Sequence, residues 1–305
     1  GIIGFIGSFH GRTLGALSIT ASKPYQRGRF SPLLPGVEHV PYPYCYRCPF
    51  NLECPDCGFY CVDYIDRYLF HKYVPPEEVA MIIAEPIQGE GGYVMPPRGY
   101  FKELKRLCDE HGILFTADEV QSGMGRTGRW FAIEHFDVVP DIVCIAKGIA
   151  AGLPLGVTAA REDLMDWTPG SHASTFGGNP LSCAAAQAVI AVIGEERLLE
   201  NATEQGDYIM ERLGEMKEEH PMIGDVRGAG LMIGVELVRD RGTKEPAPKE
   251  AADLVMRCFR RGVAIITCGV STIRIAPPLI ITRDLVDRSL EILDECLGEV
   301  EAEKL

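Results

Sequence analysis

LFTADEVQSGMGRTG, residues 114–128, is the stretch on which the fold turns. Residues 113–117 are near-continuously apolar, the pattern of a strand covered on both faces, and the run breaks on an acid, Asp118. Two further runs of this kind stand on either side, at residues 81–84 and 142–146, and the later one breaks on Lys147. Between the first two runs, Tyr100, Phe101, Leu104, Leu107 and Cys108 recur at helical spacing, and His111-Gly112 closes the pattern with a glycine stop. Strand, helix, strand in this order implies a parallel crossover, so the expected class is α/β, a mainly parallel sheet covered by helices.

Downstream, residues 184–193 are small and apolar, and residues 195–219 are strongly charged around Leu198, Leu199, Tyr208, Ile209 and Leu213, which predicts one or two long connecting helices from Pro180. After Pro221 the pattern predicts a strand over 230–238, a helix over 249–261, strands over 263–267 and 272–275, and a closing helix over 283–300. That is a smaller C-terminal α/β unit. The expected domains are 1–222, with the connecting helices, and 223–305. Residues 142–160 are apolar enough to raise a membrane span, but Lys147, Gly148, Gly152, Pro154 and Gly156 interrupt them, and strand, turn, strand fits better. The acidic tail 299–303 reads as a solvated helix end.

A chain of 305 residues, 46% hydrophobic and 24% charged, is globular. A net charge of -13 with no Lys/Arg run argues against nucleic-acid and anionic-membrane partners and favours small metabolites. Eleven cysteines without a secretory pattern fit a reducing compartment, and cytoplasmic is the expected location. Residue 1 is Gly and the first Met is Met81, so the natural N-terminus is expected to lie upstream, with a targeting segment left open.

In a parallel sheet, ligands bind outside the carboxyl ends of the strands, where Asp118 and Lys147 follow their runs. Poor hydration favours the neutral, nucleophilic form of an amine, which attacks carbonyl carbon. Pyridoxal phosphate needs such an amine, and a carboxylate facing its ring nitrogen. On spacing alone, two loop starts account for the pair at least as well.

Six ordered blocks weigh against that plainer account: SFHGRTLGALSIT (8–20), AEPIQGEGG (84–92), LFTADEVQSGMGRTG (114–128), AKG (146–148), STFGGNPLSCAAA (174–186) and IRIAPPLI (273–280). Together they resemble the class III aminotransferases over nearly the whole chain. The resemblance implies the pyridoxal-phosphate transferase fold of type I, with pyridoxal 5'-phosphate carried on Lys147 as the catalytic residue. It implies that Phe9 stacks on one face of the cofactor ring and Val120 presses on the other, that Gln121 reaches the ring hydroxyl and Asp118 the ring nitrogen, and that Glu85 orients this cluster. His10, inside FHGR, is counted with the cofactor-binding group. Thr175 is expected to bond the phosphate from a neighbouring subunit, which implies a homodimer or higher homo-oligomer with shared sites. Arg12 and Arg274 match positions that hold substrate carboxylates, and Glu90 is expected to mask Arg274 for an ω-amine substrate and release it for glutamate. An ordinary surface pair is the alternative for those two.

The implied activity is transfer of an amino group from an ω-amino acid such as 4-aminobutyrate, ornithine or acetylornithine to 2-oxoglutarate. The alternatives are an amino-acid racemase of the same family and a chain that keeps the fold without catalysis. The family usually carries a Gly/Ser phosphate-binding loop in a long N-terminal segment, and this chain begins after it, so the phosphate cup is expected to be incomplete.

Other signals carry less. Gly123, Gly125 and Gly128 spell GxGxxG, but Lys147 stands near where a dinucleotide site wants an acid, so the glycines read as a turn wrapping the site. Cys45, Cys48, Cys54 and Cys57 form two CxxC pairs closer together than in a zinc ribbon. Buried reduced thiols near Phe50 and Phe59 explain them more simply, and no metal is assigned. The histidines form no ligand set, and neither a P-loop nor a Ser/His/acid arrangement is present.

Overall fold

The computed structural model describes residues 1–303. Six strands, β1 (Ile2–Phe5), β2 (Val37–Val40), β3 (Met81–Ala84), β4 (Leu114–Asp118), β5 (Ile142–Ile145) and β6 (Val157–Ala160), form one sheet in the order β2-β1-β3-β4-β5-β6. All neighbours are parallel except β5 and β6, because the connection through residues 146–156 turns the chain back on itself. The apolar runs at 81–84, 113–117 and 142–146 are thus β3, β4 and β5. The sequence reading did not anticipate β1 and β2: Gly4 interrupts the apolar run of the first, and Glu38 and His39 fill the middle of the second.

The helix Tyr100–His111 crosses from β3 to β4 and buries Tyr100, Phe101, Leu104, Leu107 and Cys108. It ends where Gly112 takes φ +67 and donates back to the carbonyls of Cys108 and Asp109, a left-handed cap that glycine adopts without a Cβ penalty. Its Phe101 packs edge-on to Phe136 at 4.9 Å and lies against Phe115 of β4. Burying each such side chain stabilises the sheet by about 1.5–3 kcal/mol, which holds β4 level with its neighbours.

The long connecting segment is two helices, Pro180–Glu195 and Leu198–Glu219, separated at Arg197, whose φ is +53. Asn179 caps the first by accepting from Ser182 N at 2.9 Å, with Pro180 at the first helical position.

The second sheet is antiparallel and comprises β7 (Ile223–Ala229), β8 (Met232–Asp240), β9 (Glu245–Pro246), β10 (Ile266–Cys268) and β11 (Thr272–Ile275), in the order β10-β11-β8-β7 with β9 on β8. Helices Leu198–Glu219, Pro248–Arg260 and Arg283–Ala302 cover it around Ile209, Leu213, Ile233, Val235, Leu254, Leu290 and Leu297. Where one strand was expected over 230–238 there is a hairpin, because β7 carries Gly224, Asp225, Arg227 and Gly228 and so lacks apolar alternation. The hairpin turns at Gly230, φ +51, where an added Cβ would stand 2.4 Å from the Thr127 carbonyl carbon. Leu231 N donates to Arg126 O at 3.0 Å there, so the second sheet docks on the GxGxxG turn. The strand expected over 263–267 forms later, at Ile266–Cys268, after a turn closed by Val263 N to Cys258 O.

The acidic tail is more than a solvated end: Glu299 pairs with Arg257 and Arg261, and Glu301 with His220. No described helix is long and apolar enough to cross a membrane.

Candidate active site

Neighbouring strands deliver the chemistry to one edge. Ser8, Phe9 and His10 follow β1, Glu85 follows β3, Asp118 ends β4 and Lys147 follows β5. Phe9, His10, Glu85, Glu90, Asp118, Val120, Gln121 and Lys147 line one cavity of ≈ 90 Å³ together with Gly11. Eight residues singled out from the sequence therefore meet, although the chain separates them by up to 138 positions, from Phe9 to Lys147.

At the floor, Asp118 Oδ2 lies 2.7 Å from His10 Nδ1, and its Oδ1 accepts from Val120 N at 3.0 Å. The His10 side chain is 2% exposed, and its Nε2 is buried without a partner. Glu85 accepts from Phe9 N at 2.9 Å and Gly89 N at 2.8 Å, tying the loop after β1 to the loop after β3. Burial pushes the Glu85 carboxyl up to about 7, Asp118 adding to the rise while His10 and the two backbone donors oppose it. Glu119, beneath the floor, accepts from Ile133 N at 2.8 Å and from Ser122 Oγ, and burial pushes it to about 7 as well. Gln121 Oε1 is buried without a partner and rests against Gly89, where an added Cβ would stand 2.4 Å from it and push the amide aside.

Lys147 opens a 3-10 turn, Lys147–Ala150, with φ +50. A non-glycine residue held there costs of order 1–3 kcal/mol and persists only where its surroundings dictate it. The sequence reading expected a poorly hydrated amine. In the single chain Lys147 is exposed, because it stands at the mouth between two cavities. The second is a groove of ≈ 820 Å³ that shares Val120, Gln121 and Lys147 and runs past Tyr93 and Arg126 to the helix Pro180–Glu195.

At the opposite wall Arg274 donates to Glu90 through Nη2, and Lys23 Nζ reaches the other carboxylate oxygen at 3.3 Å. Their side chains are 10% and 22% exposed, so this is no ordinary surface pair. Burial pushes the Glu90 carboxyl up, but the hydrogen bond and charge of Arg274, with Lys23, outweigh it and hold the carboxyl below its usual value. The Arg274 guanidinium lies 5.6 Å from the Tyr93 ring centroid. Three predicted residues line neither cavity. Arg274 meets the first only through Glu90 and itself lines a third cavity of ≈ 660 Å³ beside Tyr93. Arg12 is exposed, with its guanidinium 5.4 Å from the Phe9 ring centroid, and Thr175 is exposed on the stretch before Pro180, lining neither cavity.

Sequence reasoning missed Lys23, Tyr93, Glu119 and Arg126. Glu119 adjoins Asp118 and Arg126 stands eight residues on in the same block 114–128, so both were legible as charges near the site, whereas Lys23 and Tyr93 bear no local signal. The thiols differ from the expectation of burial: Cys45 and Cys54 are exposed and Cys48, Cys57 and Cys61 partly so, because a segment built of short turns cannot fold them all inward. Among the described residues no three His, Cys, Asp or Glu side chains are grouped to hold a metal ion.

The aminotransferase class-III family profile matches residues 1–297. A leucine/methionine racemase of Thermococcus litoralis is 48% identical over 301 residues, covering 98% of this chain and 68% of its own. A probable 4-aminobutyrate aminotransferase of Bacillus subtilis is 40% identical over 298 residues, covering 96% and 68%. The structure of an amine transaminase from an uncultivated Pseudomonas species, in its PLP-bound form, superposes with a TM-score of 0.91 at 32% identity, covering 98% of this chain and 69% of that one. The chain spans about two thirds of the length of these relatives. It belongs to the class III aminotransferase family.

Enzymes of this family depend on pyridoxal phosphate. The residues present fit that group: the Lys147 amine, the Asp118 carboxylate, the unpartnered buried Gln121 Oε1, and Phe9 and Val120 all line the same cavity.

Proposed function

We propose that this chain carries the cofactor and substrate sites of a transaminase that takes the amino group of an ω-amino acid, of the 4-aminobutyrate, ornithine or acetylornithine type, and delivers it to 2-oxoglutarate. The observation that carries the reading is the Glu90–Arg274 pair, in which Glu90 lines the cavity that Lys147 opens and Arg274 reaches it from the neighbouring cavity. When bound, pyridoxal phosphate supplies an electrophilic aldehyde and an electron sink for the pair left behind on substrate carbon. Lys147 Nζ tethers it and moves the proton from substrate carbon, being both nucleophile and base. Asp118 would hold the ring nitrogen, and His10 orients Asp118 through its 2.7 Å contact. Phe9 and Val120 would hold the ring and Gln121 its hydroxyl, while Glu85 locks the two loops that carry Phe9 and Gly89.

Arg274 takes the carboxylate beside the reacting amine of glutamate when Glu90 lets it go, and Arg12 takes the distal carboxylate. Bidentate guanidinium geometry suits both tasks. We read residues 1–222 as the cofactor-bearing domain and 223–305 as the small domain that brings Arg274. A homodimer is part of the proposal: the helix Pro180–Glu195 is largely apolar yet leaves Leu181, Ile190 and Val192 exposed, and a second copy laid on that face would supply Thr175 to the phosphate. Eleven free thiols support a reducing, cytoplasmic setting.

Racemisation is the second reading, favoured by the 48% identity to a leucine/methionine racemase. Chiral analysis of product with and without 2-oxoglutarate separates the two, since interconversion of enantiomers without an oxo acid means racemase. Replacement of Lys147 by Ala is expected to lower turnover of the full-length protein at least 10³-fold, within the range that one positioned proton-transfer group supplies. Borohydride reduction should place the pyridoxyl label on Lys147. A label elsewhere, or full activity in the variant, removes the assignment.

A further inference from the structure

Arg227, in β7, is a buried cation that touches neither cavity, and its side chain is 10% exposed. A guanidinium has five N–H donors, and here every one is placed. Nε donates to Tyr93 O at 3.1 Å. Nη2 donates to Gly92 O at 2.6 Å and Thr272 Oγ1 at 3.3 Å. Nη1 stands 2.7 Å from both Asp225 Oδ2 and Glu236 Oε2. The Tyr44 ring closes one face at 4.8 Å, and Tyr44 Oη and Arg47 Nε also donate to Glu236. Its charge is matched and its donors are spent, so Arg227 has nothing left to offer a substrate carboxylate.

What it does hold is a strained turn. The two carbonyls bracket Tyr93, whose φ is +50, and the preceding Gly92 has φ +129. Conformations of this kind persist only when the surroundings over-determine them. The same turn carries Glu90 three residues before Tyr93 and sets the Tyr93 ring beneath Arg274, while Gly269 N donates to Glu90 O at 2.9 Å from the second sheet. Thr272, the remaining partner, stands two residues before Arg274 in β11. Arg227 therefore touches both sides of the Glu90–Arg274 pair through backbone and hydroxyl, and touches neither member of it.

We infer that Arg227 is a positioning residue that sets the Glu90–Arg274 gate and thereby the discrimination between ω-amine donor and dicarboxylate acceptor. The inference rests on the proposed transamination. Once the turn relaxes, Glu90 no longer covers Arg274, and an ω-amine donor meets an unpaired guanidinium beside its apolar chain. 2-Oxoglutarate brings its own carboxylate to that guanidinium, in place of Glu90, and is not penalised by the change. Loss of Arg227 should thus act on one substrate and spare the other.

The test is steady-state kinetics of the full-length holoenzyme with 4-aminobutyrate and 2-oxoglutarate, comparing wild type with Arg227→Lys, which keeps the charge and loses the fork. KM for the amine is expected to rise about tenfold while KM for 2-oxoglutarate moves less than twofold and the cofactor absorption band is unchanged. If Arg227→Lys does not fold, Asp225→Asn, which frees one guanidinium donor, should show the same asymmetry at about threefold. Equal losses with both substrates, or none, overturn the inference and leave the transamination standing. A wild type without turnover of any ω-amine donor sinks both.

Discussion

Glu85 and Glu90 stand on one loop, five residues apart, and are driven in opposite directions. Glu85 is fully buried among backbone N–H groups and one acidic neighbour, and is pushed up to about 7. Glu90 faces two cations and is held below its usual value. Glu85 at the floor and Glu119 beneath it are thus carboxyls that burial restrains from ionising, their oxygens held by backbone donors and by Ser122. The opposite wall is built from a carboxylate that stays charged because Arg274 of β11 and Lys23, from the segment between β1 and β2, hold its two oxygens. A floor of the first kind suits a rigid ring. A wall of the second kind suits a choice between two substrates.

The comparison breaks most severely at the floor. Asp118→Ala removes the carboxylate that faces the proposed ring nitrogen and leaves His10 without its 2.7 Å partner. Turnover is expected to fall on the order of 10³-fold with both substrates alike, the scale set by losing one preorganised electrostatic group. Stopped-flow absorbance of each half-reaction checks it, and a loss confined to one half-reaction would contradict the division between floor and wall. Stability should fall by about 1–3 kcal/mol from the orphaned imidazole, measured by urea unfolding.

At the wall the effect is smaller and one-sided. Arg274→Ala should raise KM for 2-oxoglutarate roughly 30-fold, matching the loss of about 2 kcal/mol from one charge-assisted hydrogen bond. KM for the ω-amine donor should change little, because for that substrate Arg274 is masked by Glu90. Equal increases in the two would mean that Glu90 does not mask Arg274.

The same contrast explains what was legible in the sequence. Asp118 and Lys147 end or follow a short apolar strand, so the run and the polar residue after it announce both element and site, whereas Glu85, Phe9 and His10 follow strands too but were named only by the resemblance. The wall joins residues 184 positions apart in Glu90 and Arg274 and 67 apart in Lys23 and Glu90, and no local period encodes such a meeting. Only the resemblance to a family put Glu90 and Arg274 together, and it was silent on Lys23, Tyr93 and Arg227. The same physics hid β7: with two glycines and two charged residues in its seven positions, it owes its place to pairing with β8 rather than to its own pattern. Thr175 and Arg12 remain apart from the cavity in the single chain, as expected of positions whose proposed partners are a second copy and a substrate.

The smallest effect is in stability, and pH reveals it. Glu119 ionises near 4.5 when unfolded and near 7 when folded. Between those values the folded chain binds the extra proton, so unfolding free energy falls as pH rises through the window. One such carboxyl accounts for about 3 kcal/mol across it, an order-of-magnitude figure from about 1.4 kcal/mol per pKa unit. Glu119→Gln cannot ionise and should escape that fall, at a pH-independent cost from mismatched bonds to Ser122 Oγ and Ile133 N. Relative to the parent, the variant should therefore gain between pH 5 and pH 8 in urea unfolding. Glu90→Gln should show no such gain, because its carboxyl, held low by Arg274 and Lys23, is already ionised throughout the window. A constant offset for Glu119→Gln at both pH values would show that burial is not what sets the floor apart from the wall.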